Sequence, residues 1–375
     1  MRTELRPLRT LALGRTFILR IGSRQRSGHA HSISSSNVTI TAPSSSQTRY
    51  TPSPEAVTSA RNYLSNFLRT HDHASHILTP FIPPWARDAY LTIKSFNIDT
   101  ALVADQTSNL VAGQLRMKFW RDAVEALFKA DGRDAVKYKE PTMILLASVL
   151  AGNGAGRQAP RLNKGWFLRN IAARESLLTL SPFPSLAALE TYSENTYSSL
   201  YYLLLESLHI HSTTLDHIAG HLGKATGITA ILRGTPLTAF PPPSSISPFP
   251  SPFSQPNQGA VLLPLDILSS HSLSQESLLR LGPAAPNLKD VIFEIATRAN
   301  DHLLTARKMI KDAQEKGELS KGGKGDWGVF LGALPTRNFL SRLEEVDFDV
   351  FDGRLARRDW RLVFQAYWAY RKGEF

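Results

Sequence analysis

Two histidines four residues apart, His217 and His221, form a pair whose spacing could do chemistry, because that step puts both imidazoles on one helical face. A zinc peptidase would place a general-base glutamate beside the first. Ile218, Ala219 and Gly220 stand between them instead, so a polar helix surface accounts for the pair adequately. Cysteine is absent, which excludes disulfides, thiolate metal sites, iron–sulfur ligation and a cysteine nucleophile. Residues 321–326 (KGGKGD) suggest phosphate binding but lack the GxxxxGK[ST] spacing and follow a helical region, so a flexible loop is expected. The carboxy-terminal segment sets Trp360, Phe364, Tyr367, Trp368 and Tyr370 among Arg357, Arg358, Arg361, Arg371 and Lys372. A basic aromatic helix of this kind can lie on a membrane or partner surface. The plainer expectation is that Trp360, Phe364 and Trp368 dock onto the rest of the protein.

Helical patterning must position these groups, since three- and four-residue periodicity runs through most of the chain after Pro54 and alternating strand patterns are scarce. Pro83 and Pro84 suit the first turn of a helix whose inner face is Ala89, Ile93, Phe96, Thr100 and Val103. A second helix would bury Leu115, Phe119, Ala123 and Leu127. Residues 186–210 are apolar on most sides, which predicts a path through the middle of a bundle. Over residues 215–233, Gly220, Gly223, Gly227, Ala230 and then Gly234 make a stripe almost without side chains. Each glycine costs about 1 kcal/mol relative to alanine, so either a second helix approaches closely there or the stripe borders a cavity. Seven prolines within residues 240–258 exclude helix and predict a surface insertion. The last helix is expected over residues 358–371. At 375 residues and 42% hydrophobic, the chain can build one large all-α domain.

The net charge of +11 would suggest nucleic acid until it is located. Residues 1–50 hold eight arginines against the single acid Glu4, which leaves only +4 for residues 51–375. A nucleic-acid partner therefore loses its main support. The leader is arginine- and serine-rich, and its apolar stretch at residues 11–21 is broken by Gly14, Arg15, Thr16 and Arg20. That composition fits a mitochondrial presequence rather than a secretory signal, with a linker to about residue 54. The domain reading is residues 1–50 as presequence and linker, and 51–375 as the helical domain carrying the 240–258 insertion. No window approaches the 18 apolar residues of a membrane span.

Blocks of sequence along nearly the whole of that domain carry a family resemblance. RDAYLTIKSFNIDTALVAD, followed by RMKFWRDAVEALF, resembles the first signature region of squalene and phytoene synthases. HLGKATGITAILRGTP, then GAVLLPLDIL, resembles their second. The resemblance implies the isoprenoid synthase fold, an all-α bundle around a central cavity. In active members two DxxxD-type motifs on facing helices hold Mg²⁺ against a substrate diphosphate. Here the first motif falls on Ala101 and Asp105 or, two residues earlier, on Asp99 and Val103, and either register keeps one acid. The second falls on Gly234 and Thr238 and keeps none, although the preceding Arg233 matches. Near the matching Tyr192, Tyr197 and Tyr201 stand where small residues are usual. They either project into the space an isoprenoid would fill or, with a register one residue different, face a neighbouring helix.

ENTYSSLYYLLLESL and ALPTRNFLSRLEEVDFDVFDGRL resemble a divergent branch of the same family, the mitochondrial complex I assembly factors. The resemblance implies a matrix protein, peripheral on the inner membrane and without metal or cofactor. Its partners would be complex I subunits or assembly intermediates, at an early, membrane-proximal stage. Two alternatives stand beside it: a Mg²⁺-dependent prenyl-diphosphate synthase using Asp99 or Asp105, Arg233 and Tyr192, and an isoprenoid or lipid carrier.

Overall fold

The computed structural model describes residues 51–107, 109–129, 137–152, 159–241 and 259–375. The presequence and nearly all of the proline-rich insertion lie outside them. The described residues form helices and no strand. The first six are α1 (Pro54–His71), α2 (His73–Leu78), α3 (Arg87–Ala101), α4 (Val103–Gln106), α5 (Leu110–Phe128) and α6 (Pro141–Leu150). Next come α7 (Lys164–Ser176), α8 (Leu186–Ser193), α9 (Ser199–Ser207) and the long α10 (Thr213–Ala239). The chain ends with α11 (Leu265–Ser270), α12 (Gln275–Leu281), α13 (Leu288–Glu315), α14 (Ala333–Glu345) and α15 (Leu362–Lys372).

Helix α10 is the axis of the bundle and packs along α13, α8, α9 and α14. Its mixed surface explains why, for it buries Ile218, Leu222 and Leu232 on one side and Gly220, Gly223 and Gly227 on the opposite one. A smaller core of Ala60, Leu64 and Leu68 from α1, Leu91 and Ile98 from α3 and Leu145 from α6 lies beside the main one. Arg61 closes the α1–α3 contact with two hydrogen bonds to Asp88, at 2.7 and 2.8 Å. Residues 321–324 form a loop as expected, and Gly325 then opens a 3₁₀ helix that runs to Gly332. Gly322 and Gly323 take positive φ (98° and 71°), and the Gly323 amide donates to the Tyr370 carbonyl at 2.7 Å, a close approach that a side chain at Gly322 would block.

Most of the periodic faces are where their spacing puts them. Ala89, Ile93, Phe96, Thr100 and Val103 are all buried, although Pro84 opens a short 3₁₀ turn before α3 starts at Arg87. In α5 the expected stripe is wrong at its first residue. Leu115 is 63% exposed, and the buried series is Gly113, Met117, Trp120, Val124 and Leu127 together with Ala123. At about 100° per residue, Leu115 lies roughly 200° from Met117, on the far side of the helix.

The glycine stripe is explained by close helix packing. A Cβ on Gly223 would stand 2.3 Å from the Ser198 Cα, and one on Gly227 would stand 2.4 Å from the Ser193 Cβ. Ser193 and Ser198 are five residues apart, which on a regular α-helix would separate them by about 140°. Between them residues Glu194–Ser198 form a π turn, whose i→i+5 bonding brings both serines to the α10 side. Ser198 Oγ then donates to the Gly220 carbonyl at 2.9 Å. Gly234, by contrast, has nothing within 4 Å of an added Cβ.

This contrast is testable by thermal unfolding followed by circular dichroism. Gly223→Ala or Gly227→Ala should destabilise by about 2–3 kcal/mol through backbone displacement, whereas Gly234→Ala should be neutral or stabilising by up to about 1 kcal/mol. Equal melting temperatures for Gly223→Ala and Gly234→Ala would sink the close-packing account.

Candidate functional site

Arg174 of α7 sits among the side chains facing the middle of the bundle, and nothing in its local sequence marked it. Its guanidinium donates to the Tyr192 hydroxyl at 2.7 Å and to the Asn97 side-chain oxygen at 3.0 Å. It also lies 5.7 Å from the Tyr192 ring centre and 5.4 Å from that of Tyr197. Its Nε is buried without a partner, and no carboxylate among the described residues pairs with it. Burial works against the cation, but the oxygens of Tyr192 and Tyr197 outweigh it and leave its pKa raised.

Lys94, one turn before Asn97 on α3, extends the same pattern. Its ammonium lies 5.7 Å from the Tyr90 ring and 5.6 Å from the Tyr201 ring, and burial lowers its pKa against the opposing charge of Asp72. Tyr201 is buried, and its hydroxyl is pushed up to about 12 chiefly by that burial. Tyr192 is buried and likewise raised, and Tyr197 packs against the core. Tyr192 and Tyr201 are therefore enclosed between helices, with Tyr197 half-buried beside Arg174. Arg174 and Lys94 were missed because a single Arg or Lys in a helix reads as surface. Only the tyrosines supply a hint that something polar must accompany them.

The expected acids do not join this cluster. Asp99 faces α6, where its Oδ2 accepts from the Thr142 hydroxyl at 2.7 Å. Burial, opposed by that hydrogen bond and reinforced by Glu140, pushes its carboxyl up to about 6. Asn97, two positions earlier and hence about 200° round the helix, is the residue that reaches Arg174. Ala101 closes α3, Val103 is buried in the core, and Asp105 is exposed on α4. Among the described residues no three His, Asp or Glu side chains converge as a cation would need.

Arg233 is exposed at the surface of α10. It lines a groove of about 510 Å³ with Asp72, Asn338, Phe339, Arg342 and Arg358, and its guanidinium stands 5.1 Å from the Phe339 ring. The side chain is exposed to the groove, yet enough protein surrounds it that burial lowers its pKa despite the nearby Tyr197 hydroxyl. On the same helix Gly234 offers no side chain, and Thr238 turns its hydroxyl onto the Thr235 carbonyl at 3.2 Å.

The two spaced histidines part company. His217 lines a separate groove with Trp166, Glu194, Glu206 and Asp216. The Nδ1 of His221 lies 2.9 Å from Nδ1 of His302, whose Nε2 lies 3.1 Å from a Glu190 carboxylate oxygen that Arg298 also holds. Two facing ring nitrogens at that distance share one proton. The arrangement ties α8, α10 and α13 together as a polar relay. At the carboxy terminus the expected docking of Trp360, Phe364 and Trp368 does not occur. They are 71%, 63% and 59% exposed, because the smaller Leu362, Ala366 and Ala369 form the docking face.

Comparison with known proteins gives this geometry a context. The squalene/phytoene synthase family matches residues 68–361. The Rattus norvegicus protein named NADH dehydrogenase (ubiquinone) complex I, assembly factor 6 is 32% identical over 305 residues, covering 81% of this chain and 80% of that protein. Its Homo sapiens counterpart is 30% identical, covering 82% and 80%, and the Drosophila melanogaster homolog is 28% identical, covering 81% of each. A solved structure of a dehydrosqualene synthase in complex with ligand superposes with a TM-score of 0.61 at 14% identity, over 84% of this chain and 97% of that one. The fold expected from the sequence, the all-α isoprenoid synthase bundle, is the fold found.

Two titrations follow from the site. Asp99 has a raised carboxyl pKa, so its ionisation costs stability above about pH 6, and Asp99→Asn should stabilise by on the order of 1–2 kcal/mol near pH 7.5 and by little near pH 4. The imidazoles of His221 and His302 are held below the usual 6.5, chiefly by burial. Their contribution is present above pH 6.5 and is lost as pH falls through the lowered values, so His221→Gln should make the acid-side fall in melting temperature shallower. Parallel pH–melting curves for His221→Gln and wild type would show that the relay does not titrate as described.

Proposed function

The chain belongs to the squalene/phytoene synthase family, and we propose that within it this protein is a non-catalytic mitochondrial factor needed for respiratory complex I assembly. The observation that carries the reading is the likeness, over four-fifths of both chains, to proteins named complex I assembly factor 6. The stages concerned are early and membrane-proximal, and the partners are complex I subunits or assembly intermediates. The chain works on the matrix side of the inner membrane as a peripheral protein. An arginine-rich leader with one acid supports import, and no helix among the described residues is long and apolar enough to cross a bilayer.

The chemistry of the interior argues against catalysis. A Mg²⁺-assisted ionisation needs several carboxylates aimed at one diphosphate. Here Asp99 is engaged with Thr142 on another face, and the α10 positions beside Arg233 are Gly234 and Thr238. The cations Lys94, Arg174 and Arg233 would repel a divalent ion rather than hold one. The residues present do not fit a Mg²⁺–diphosphate site. A carrier reading is also disfavoured, since Tyr192, Tyr197 and Tyr201 turn into the bundle instead of lining an apolar cavity.

Removing the chain from its cell should deplete assembled complex I on native gels and lower NADH-linked respiration, and Asp99→Asn should restore both as fully as wild type. Normal complex I after deletion would overturn the assembly role. The enzyme alternative is checked by calorimetry with farnesyl diphosphate analogues with and without Mg²⁺. Tight, metal-dependent binding abolished by Asp99→Asn would return the chain to the synthases.

A further inference from the structure

Helix α15 is apolar on two opposite faces, and the larger side chains are on the outer one. Leu362, Ala366 and Ala369 are buried, while Val363, Phe364, Tyr367 and Trp368, together with Trp360 in the turn just before the helix, are exposed at three- and four-residue steps. A helix that merely covers a core would put its rings inward. The outer stripe is also flanked by cations at both ends, with Arg357, Arg358 and Arg361 before it and Arg371 and Lys372 after it. None of these five makes an ion pair among the described residues. The one acid between residues 357 and 372, Asp359, is occupied by the Asn338 side-chain amide at 2.6 Å. Beside the stripe, a cleft of about 370 Å³ between α14 and α15 is lined by Phe364, Trp368, Arg337 and Lys372, with Glu374 the carboxylate in its wall.

We propose that this face docks on a bilayer surface containing anionic lipid, with the rings at headgroup level and the flanking cations on lipid phosphates. The inference rests on, and deepens, the peripheral-membrane part of the proposed function. Aromatic rings with a polar edge are suited to the headgroup region, and unpaired Arg and Lys next to them complement its negative charge. Charge disfavours a second copy of this chain as the occupant, because an isologous interface would bring the two sets of five cations together. A protein partner would have to supply a matching acidic rim around an apolar centre.

The test is co-sedimentation of the full chain with vesicles of phosphatidylcholine alone or mixed with phosphatidylglycerol. The arginine-rich first 50 residues can also attract anionic lipid, so the readout is the difference between variants. Wild type should bind the mixed vesicles and shift its tryptophan emission to the blue. Trp360→Ala with Trp368→Ala should weaken partitioning at least tenfold and abolish the shift, and Arg358→Gln with Arg361→Gln should weaken it about thirtyfold. Leu304→Ala, at an exposed apolar residue on α13, should change nothing. Equal binding by all variants, or equal binding to both vesicle types, would overturn the proposal. So would a dimer in sedimentation velocity that disappears with the tryptophans, which would assign the face to a second copy. The assay contains only the chain and lipid, so its failure leaves the complex I role standing. Normal complex I after deletion would remove that role without touching this result.

Discussion

The architecture depends on one close contact, the approach of the α10 glycine face to the serines that bracket the π turn. Gly223 and Gly227 leave room for the backbone of Ser198 and Ser193, and no residue with a Cβ could sit there without moving one helix. Because α10 also packs along α13 and α14, its position sets where those helices lie. The π turn is the other half of the contact. By changing the rotation per residue across Glu194–Ser198, it presents Ser193 and Ser198 together. It also sets the rotation of Tyr197 and Tyr201 relative to Tyr192. The inward tyrosines are thus a consequence of how closely two backbones meet.

That geometry leaves an interior with an unusual charge pattern. Lys94 and Arg174 are held by tyrosine rings, hydroxyls and an asparagine oxygen, and Arg233 by the Phe339 ring at the groove, without a paired carboxylate among the described residues. Arginine does not deprotonate under ordinary conditions, so the cost of enclosing it is offset by quadrupoles and neutral acceptors. The acids that do occur inside are tied up locally: Asp99 on Thr142, and Glu190 on His302 and Arg298. A bundle can hold a divalent ion only when carboxylates converge, and among the described residues no three His, Asp or Glu side chains do.

Much of the fold was legible in the residues. Three- and four-residue spacing located the helices and, in α3, every buried position named beforehand, because burial of one stripe is written directly into local periodicity. Leu115 escapes that periodicity, because several apolar residues compete for the inward face and only the neighbouring helices choose between them. The carboxy terminus escapes it too. Large rings look like core to any reading based on hydrophobicity, yet the small face of α15 was what fitted against the bundle.

The candidate site divides along the same line. Residue identity alone excluded cysteine chemistry, and the family resemblance raised the expectation that one acid of the paired motifs, Arg233 and Tyr192 are kept. Those are properties of the chain, independent of conformation. The direction of Asp99, the recruitment of Asn97 and Arg174, the pairing of His221 with His302 and the inward turn of the tyrosines were decided by tertiary packing. Each depends on a rotation of about 100° per residue relative to a partner far away in sequence. A single π turn, which no local pattern announced, was enough to change that rotation.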